Sequence, residues 1–353
     1  MQQVQTKTII GWDIGGAHIK AAAANGQGEI IRVVQRPCAL WQGLHELQKA
    51  VDTIVLDLDL AGSHHALTMT GELVDLFANR LQGVKQIVQV MSELLGEQNV
   101  VVFSGKFGFL QPVQITDQHL EQIASTNWLA SVGYVAQHYD AGLFVDIGST
   151  TTDIILFSKG QAEAQGLTDY QRLASQELVY TGIIRTPVMA ICRKVDFQGE
   201  QVGVMAEYFA TMADVYRITG ELDERHDQMP AADNGDKTIA DSIRRLARMI
   251  GCDAEDFSAE AWLKLAEQLK TKQLLQLQQA CSRQLERGIS IDNPILVGAG
   301  VGKFLVKQLA AILGLAYQDL SEIMQHDLPK TDMDIADCLP AVAVARLSKT
   351  QFK

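Results

Sequence analysis

Short apolar runs alternate with longer stretches of helical periodicity along this chain. The first part has the predicted order β-β-β-α-β-α-β-α, which indicates an α/β sheet with helices on both faces and a cleft at the strand ends. Its predicted elements are the strands 8–12, 19–24, 29–35, 65–70 and 99–103 and the helices 43–57, 81–95 and 125–136.

A second strand pair begins near residue 143, so the pattern starts again. We therefore predict two domains, 1–138 and 139–353, the second with a helical insertion at about 203–290. Its predicted helices are 205–218, 238–250, 259–269, 274–287, 303–313 and 334–347, with a strand at 294–297. The polar stretch 221–237 is predicted to be a surface excursion, with a mobile lid as the alternative.

The clearest motif is LFVDIGSTTTDIILF, residues 143–157. It reads as a β-hairpin whose first strand ends in Asp146 and whose turn is rich in amide and hydroxyl donors. Such a turn can surround a phosphate, and the acid can hold Mg²⁺ or a metal-bound water. The phosphate-binding candidates in this turn are Gly148, Ser149, Thr150 and Thr151.

Residues 9–21, IIGWDIGGAHIKA, repeat this motif. Asp13 aligns with Asp146, Gly15 with Gly148, and Lys20 with Asp153; Gly16 follows Gly15 in the turn. Two copies predict two similar half-domains that offer loops to one shared cleft. Lys20 would bind phosphate oxygen, and Asp146 or Asp153 would lie on the metal side. Two ordinary glycine turns are the alternative interpretation.

A third glycine turn, GAGVG, follows the strand 294–297 and precedes a helix. Glycines let another molecule approach the backbone, and a helix N-terminus offers N–H groups to an anion. The spacing is not that of a dinucleotide-binding fingerprint. The candidate phosphate-binding residues in this turn are Gly298, Gly300 and Gly302.

Composition restricts the class of partner. The chain has 353 residues and a formal net charge of −12 without a basic block, which argues against nucleic acid and anionic membranes as partners. Five dispersed cysteines predict reduced thiols in a cytoplasmic protein. Neither a secretory pattern nor a long apolar span is visible, so no membrane association is expected.

The order of three glycine turns resembles the sugar kinase/heat-shock ATPase/actin superfamily. Longer motifs resemble the hydantoinase/oxoprolinase-like family linked to tetrahydromethanopterin one-carbon metabolism. These motifs are TMTGELVDLF (68–77), FVDIGSTTTDII (144–155), LVYTGIIRTPVMAI (178–191), AEYFATMADVYRITGEL (206–222) and DCLPAVAVA (337–345). The resemblance implies two actin/ribonuclease-H-like domains with mixed sheets, flanking helices and an interdomain cleft.

The same resemblance implies a transferase of methanofuran or methylofuran biosynthesis. It would join a diphosphate-bearing partner, an aminomethyl-furfuryl diphosphate, to a phenolic acceptor, γ-glutamyltyramine, and release diphosphate. Mg²⁺ is the implied cofactor, and ATP is not required. A homo-oligomer is compatible with this assignment.

For that reaction Asp13, Asp146 and Asp153 are the candidate metal ligands. Lys20 and the two hairpin turns would hold the leaving diphosphate. The phenol, with a pKa of about 10, needs a base, and the candidates are Glu72, Glu207 and Asp214, the last two predicted to share one helix face. Arg185 would pair with a substrate carboxylate, with a surface or interdomain salt bridge as the alternative.

Two other functions remain open at this point. An ATP-dependent kinase or hydantoinase/oxoprolinase-type hydrolase would use the same loops for ATP and Mg²⁺. A non-catalytic nucleotide switch would show nucleotide-dependent partner binding and slow turnover.

Overall fold

The structure is a computed structural model that describes residues 7–58, 62–287, 294–324 and 328–352. It divides into two compact units. The first unit comprises Met1–Gly142, Ile155–Arg172 and Asp319–Lys353, and the second comprises Leu143–Ile154 and Leu173–Gln318. The two units therefore differ from the predicted division into 1–138 and 139–353, because the later segments Ile155–Arg172 and Asp319–Lys353 belong to the first unit.

The first unit is built on a mixed six-stranded sheet in the order β3-β2-β1-β4-β5-β6. Strands β1, β4 and β5 run parallel, while β2, β3 and β6 join antiparallel. The strand bounds are β1 Ile9–Ile14, β2 His18–Ala24, β3 Ile30–Pro37, β4 His64–Met69, β5 Val100–Phe103 and β6 Phe109–Leu110. Almost every side chain of β1, β2 and β4 is buried, as expected for a sheet covered on both faces.

Helices cover this sheet with apolar faces that match the predicted periodicity. Residues such as Leu47, Val51 and Ile54 of α1 are fully buried. The helices of this part of the chain are α1 Leu44–Leu58, α2 Arg80–Leu95, α3 Asp117–Ile123 and α4 Asn127–Val135, joined by the later α11 Leu320–Ile323 and α12 Leu339–Leu347. Helix α12, which is apolar except for Arg346, packs on β1, β2, β4 and α4, which explains why this segment belongs to the first unit.

The second sheet contains the predicted hairpin. Its order is β10-β8-β7-β13-β14, and β9 pairs with β8. The bounds are β7 Ala141–Ile147, β8 Thr152–Ser158, β9 Gln161–Ala162, β10 Leu178–Val179, β13 Ile295–Ala299 and β14 Ala316–Asp319. A separate antiparallel pair, β11 Lys194–Phe197 with β12 Glu200–Gly203, was not predicted.

The remaining helices follow β9 and lie mainly in the second unit. They are α5 Asp169–Ser175, α6 Val188–Ile191, α7 Met212–Ile218, α8 Ile239–Arg248, α9 Ala259–Leu285 and α10 Lys303–Leu313. The two predicted helices 259–269 and 274–287 are one helix, α9. The polar Gln273, which interrupts the apolar pattern, is buried inside it and hydrogen-bonded to Tyr216 and Thr181.

Short 3-10 helices connect these elements. Their bounds are Leu40–Gln42, Gly71–Leu73, Glu97–Asn99, Gly105–Phe107, Pro112–Gln114, Glu224–His226, Ala254–Asp256, Ala336–Cys338 and Ser348–Phe352. Gly71–Leu73 follows β4 and packs against the first glycine turn, whereas Ala336–Cys338 precedes α12 and contacts β2 and β3.

Candidate active site

The first glycine turn joins β1 to β2 in the first unit. The amide of Gly15 donates to the carbonyl of His18 at 2.9 Å and closes the turn. Asp13, which is 7% exposed, lies opposite Lys20 in the antiparallel register, so the two side chains share one face of the sheet. The Asn127 side-chain amide donates to Asp13 Oδ1 at 3.3 Å. The predicted acid and cation of the first motif are therefore neighbours.

Lys20 also has a structural contact. Its Nζ donates to the carbonyl oxygen of Asp337 at 2.8 Å, in the 3-10 helix that leads into α12. Burial is the main cause that raises the pKa of Cys338 to about 12. The charge of Lys20 lowers this pKa, and the charge of Asp13 raises it. Cys338 therefore stays a neutral thiol at this turn. The phosphate-binding role of Lys20 remains a prediction.

The segment after β4 packs against the same turn. The amide of Thr70 donates to the carbonyl of Ile14 at 3.0 Å. A Cβ atom on Gly71 would lie 3.1 Å from that carbonyl oxygen, and one on Gly16 would lie 2.7 Å from Val74 Cγ1. This close packing requires the glycines and places residue 72 directly beside the first glycine turn.

Among the candidate bases, Glu72 is the one that lies beside the first glycine turn. It is 1% exposed, and burial is the main cause that raises its pKa to about 7. The charge of Asp169 raises this pKa further, while the hydrogen bond from Ser125 and the charge of Arg80 lower it. A carboxyl group that titrates near neutral pH is suited to proton transfer.

The sequence did not predict the side chains that interact with Glu72. Ser125 was assigned to a helix over 125–136, but its φ of +51° takes it out of the helical region, and α4 begins at Asn127. Asp169 stood in no predicted motif. A serine beside a polar threonine just before an apolar helix is the signal that could have identified a turn here.

The second glycine turn joins β7 to β8 in the second unit. Gly148 N donates to Thr151 O at 2.9 Å. The amides of Ile183, Ile184 and Arg185 donate to the carbonyls of Gly148 and Ser149 at 2.9–3.0 Å. The carbonyl oxygens of Gly148 and Ser149 are thus satisfied by a neighbouring segment, and the Gly148 amide is used within the turn, so the hydroxyls and the later amides of the turn are its candidate donors to another group.

Ser149 is notable within this turn. Its hydroxyl oxygen is buried and has no hydrogen-bond partner among the described residues. A buried hydroxyl without a partner is costly unless a ligand or water satisfies it. This observation fits the predicted binding of an anion at the second turn.

Arg185 lies at the same turn. Its guanidinium is 3.5 Å from Thr150 Oγ1, and the residue is exposed. The pKa of Tyr208 is raised mainly by burial, and the positive charge of Arg185 lowers it. The structure therefore brings together Ser149, Thr150 and Arg185, three of the predicted site residues.

The third glycine turn packs directly on the end of β7, at Asp146 and Ile147. Gly302 N donates to Ile147 O at 2.8 Å, and Gly300, with a φ of +79°, leaves no room for a Cβ atom beside the Asp146 carboxylate. A Cβ on Gly298 would lie 2.8 Å from the Tyr317 ring. Packing explains these three glycines, and their phosphate-binding role remains a prediction.

The predicted metal ligands do not form a cage of protein side chains. Among the residues that the structure describes, no group of three or more His, Cys, Asp and Glu side chains could hold a metal ion. Asp13 belongs to the first unit, whereas Asp146 and the half-buried Asp153 belong to the second. Mg²⁺ commonly binds through one or two carboxylates, water and substrate phosphates, and the donors around Asp146 fit that mode.

Glu207 and Asp214 do not share a helix face, because the predicted helix 205–218 begins only at Met212. Thr211 and Asp214 form its capping box. Asp214, 2% exposed, accepts from Ser242 and Arg245 at 2.8 Å each, so its oxygens serve the fold. Glu207 is exposed and precedes the helix.

The stretch 221–237 is anchored by ion pairs. Arg217 pairs with Glu224 and Asp227, at 2.8 and 2.6 Å. Arg245 binds Asp233 at 3.0 Å, and Lys270 binds Glu221 at 2.6 Å. This network favours the predicted surface excursion over the lid.

Comparisons with known proteins agree with these motifs. The family model described as Hydantoinase/oxoprolinase matches residues 63–325. A Methanocaldococcus jannaschii protein named (4-{4-[2-(gamma-L-glutamylamino)ethyl]phenoxymethyl}furan-2-yl)methanamine synthase is 28% identical over 345 residues, 98% of each chain. A Methanococcus vannielii protein of the same name is 29% identical over 168 residues, which are 47% of this chain and 75% of that protein.

Among solved structures, the nucleotide-free acetone carboxylase has a TM-score of 0.64 at 11% identity and covers 96% of this chain and 70% of its own. This likeness concerns the fold alone and confirms the predicted actin-like α/β class. Within the described residues, no helix is long and apolar enough to cross a membrane.

Proposed function

The chain belongs to the hydantoinase/oxoprolinase family, and on this basis we propose that it is a transferase of methanofuran or methylofuran biosynthesis. It joins an aminomethyl-furfuryl diphosphate to the phenol of γ-glutamyltyramine and releases diphosphate. Similarity over 98% of both chains to a synthase whose name describes a phenoxymethyl-furan supports this reaction.

The second glycine turn carries the proposal structurally. Its buried Ser149 hydroxyl has no protein partner among the described residues, and Arg185 lies 3.5 Å from the neighbouring Thr150 hydroxyl. Hydroxyl, amide and guanidinium donors on one turn suit an anionic leaving group such as diphosphate. Arg185 is also our candidate for binding the carboxylate of the γ-glutamyl group.

The reaction breaks one bond and forms another. The bond between the furfuryl carbon and the diphosphate oxygen breaks, and its electron pair leaves with diphosphate. The phenol oxygen forms the new ether bond to that carbon, and its proton passes to a base. Glu72 is our candidate for this base, because it titrates near neutral pH beside the first glycine turn.

Mg²⁺ is the proposed cofactor, and Asp146 is the residue that fits it best. Asp146 is the penultimate residue of β7, just before the turn that offers phosphate donors. When bound, the ion would neutralise negative charge on the diphosphate. Asp13 and Asp153 remain the further candidates.

The test is diphosphate release by the purified full chain with Mg²⁺, aminomethyl-furfuryl diphosphate and γ-glutamyltyramine, with and without ATP. We expect release without ATP, formation of the coupled ether by mass spectrometry, and loss of both in Asp146→Ala. Asp196→Ala is the matched control, since Asp196 is an exposed acid of the same unit in β11.

Absence of release with both substrates present would refute the proposal. Consumption of ATP coupled to an acceptor would instead support an ATP-dependent kinase or hydrolase. Equal losses in Asp146→Ala and Asp196→Ala would show that Asp146 has no special role.

A further inference from the structure

The side chains of Glu72, Ser125 and Asp169 form a continuous hydrogen-bonded chain in the first unit, with Glu72 beside the first glycine turn. Ser125 Oγ lies 2.6 Å from Glu72 Oε1 and 3.2 Å from Asp169 Oδ2. Arg80 pairs with the same Asp169 oxygen at 3.3 Å. Two carboxyl groups therefore share one hydroxyl, and Arg80 forms its ion pair with Asp169.

The geometry of these hydrogen bonds determines which of the three side chains carry a proton. A hydroxyl has a single proton, so Ser125 donates to one carboxyl oxygen and accepts from the other. The carboxyl group that donates to Ser125 must itself be protonated. Asp169 forms an ion pair with Arg80, and its side chain is 17% exposed, so its oxygen is the acceptor of the Ser125 hydroxyl.

Glu72 has the opposite environment. It is 1% exposed, and its Oε2 has no hydrogen-bond partner among the described residues. A buried anionic oxygen without a partner is costly, whereas the carbonyl oxygen of a neutral acid is tolerated far better. Asp169 and Arg80 are the charged groups that shift its titration, and the nearby Asp169 charge further disfavours a second anion.

We infer that Glu72, Ser125 and Asp169 form a proton relay, with Glu72 protonated in the resting enzyme. In one step the Glu72 proton moves to Ser125 Oγ while the Ser125 proton moves to the Asp169 carboxylate. Glu72 then becomes the carboxylate that accepts the next proton, and Asp169 passes its proton to solvent. The inference rests on the proposed function, in which a phenol releases a proton.

Ser125 and Asp169 act through Glu72 and are positioning residues. The backbone of Ser125 supports this role, because a φ of +51° is unfavourable for a residue with a side chain. This conformation aims the hydroxyl at both acids. Glycine would adopt it without strain, so Ser125→Gly removes the hydroxyl without straining the backbone.

The first test reads the proton without substrate. Carbon-13 labelling of the glutamate side chains, with Glu72→Gln for assignment, gives the titration of Glu72 in the full chain. We expect Glu72 to remain protonated at pH 6 and its midpoint to move in Ser125→Gly and Asp169→Asn. An ionised Glu72 at pH 6, or an unchanged midpoint in both variants, would overturn the relay.

The second test follows the rate against pH. We expect Ser125→Gly to lower kcat roughly tenfold or more and to shift the acidic limb of the profile, with little change in KM. Gln198→Gly is the matched control, since Gln198 also has a positive φ, +53°, in an exposed hairpin turn. An unshifted profile in Ser125→Gly would overturn the relay, whereas the expected titration without any diphosphate release would overturn only the proposed function.

Discussion

The carboxylate of Asp146 occupies the space where a side chain on Gly300 would begin. Gly300 also has a φ of +79°, a conformation that side chains rarely adopt. The third glycine turn thus fixes the position of an acid on a neighbouring strand of the same unit.

We expect Gly300→Ala to reduce both stability and activity, because the new methyl group must displace Asp146 or the Ile147 carbonyl. Gly314→Ala is the matched control: its φ is +68°, but nothing lies within 4 Å of its Cβ position. The excess loss in Gly300→Ala should be about 2 kcal/mol, measured by urea unfolding. Equal losses in the two variants would show that the close packing is unimportant.

Asp146→Asn should raise the Mg²⁺ concentration needed for half-maximal diphosphate release, because a neutral amide is a weaker ligand for a hard cation. Mg²⁺ titrations of the variant and of Asp196→Asn provide the measurement. If the two titration curves coincide, Asp146 does not hold the ion.

Arg185→Ala should raise the KM for γ-glutamyltyramine roughly tenfold or more, because it removes a charge-assisted hydrogen bond. Tyramine, which lacks the γ-glutamyl carboxylate, should show little change. Arg193→Ala, at an exposed arginine of the same unit, serves as the control. A similar KM increase with tyramine would assign Arg185 to the diphosphate instead.

Glu72 makes stability depend on pH. Its pKa is about 4.5 in an unperturbed chain and about 7 in the folded protein, so the folded state binds more protons between these values. Stability should therefore fall as pH rises through this window, by roughly 3 kcal/mol from this group. Thermal unfolding at several pH values should show that Glu72→Gln loses this component; an unchanged slope would contradict it.

Asp214→Asn should destabilise the protein by about 3 kcal/mol, because Arg245 has a fully buried side chain and would lose its ion pair with Asp214, keeping the one with Asp233. The kcat per folded molecule should stay within twofold of the wild type, roughly the scatter of such assays for a residue outside proton transfer. Glu207→Gln, at an exposed acid, should change neither quantity. A large loss of kcat in soluble, folded Asp214→Asn would return this residue to the candidate bases.

The repeated glycine-turn motif made the fold class predictable. Continuous apolar runs before Asp13 and Asp146 indicate strands, and the turns after them require little tertiary information. The amphipathic helices α1, α2 and α10 were predicted close to their observed bounds for the same local reason.

Hydrogen bonds between side chains far apart in the sequence could not be predicted from local patterns. Ser125 and Glu72 are 53 positions apart, and Gln273 and Thr181 are 92 apart. In the second case a buried hydrogen bond turned an apparent helix break into the middle of α9. Local pattern also failed at Thr211, where a capping box outweighed helical periodicity upstream.

Helix α12 has a consequence for biosynthesis. Translation produces β1, β2 and β4 long before α12, yet Gly11 of β1 lies so close to Ala341 that no side chain would fit between them. Until the ribosome has made α12, one face of the first sheet lacks the cover that this helix provides and offers apolar surface to chaperones. The sheet around β1 therefore completes its core only after α12 has emerged.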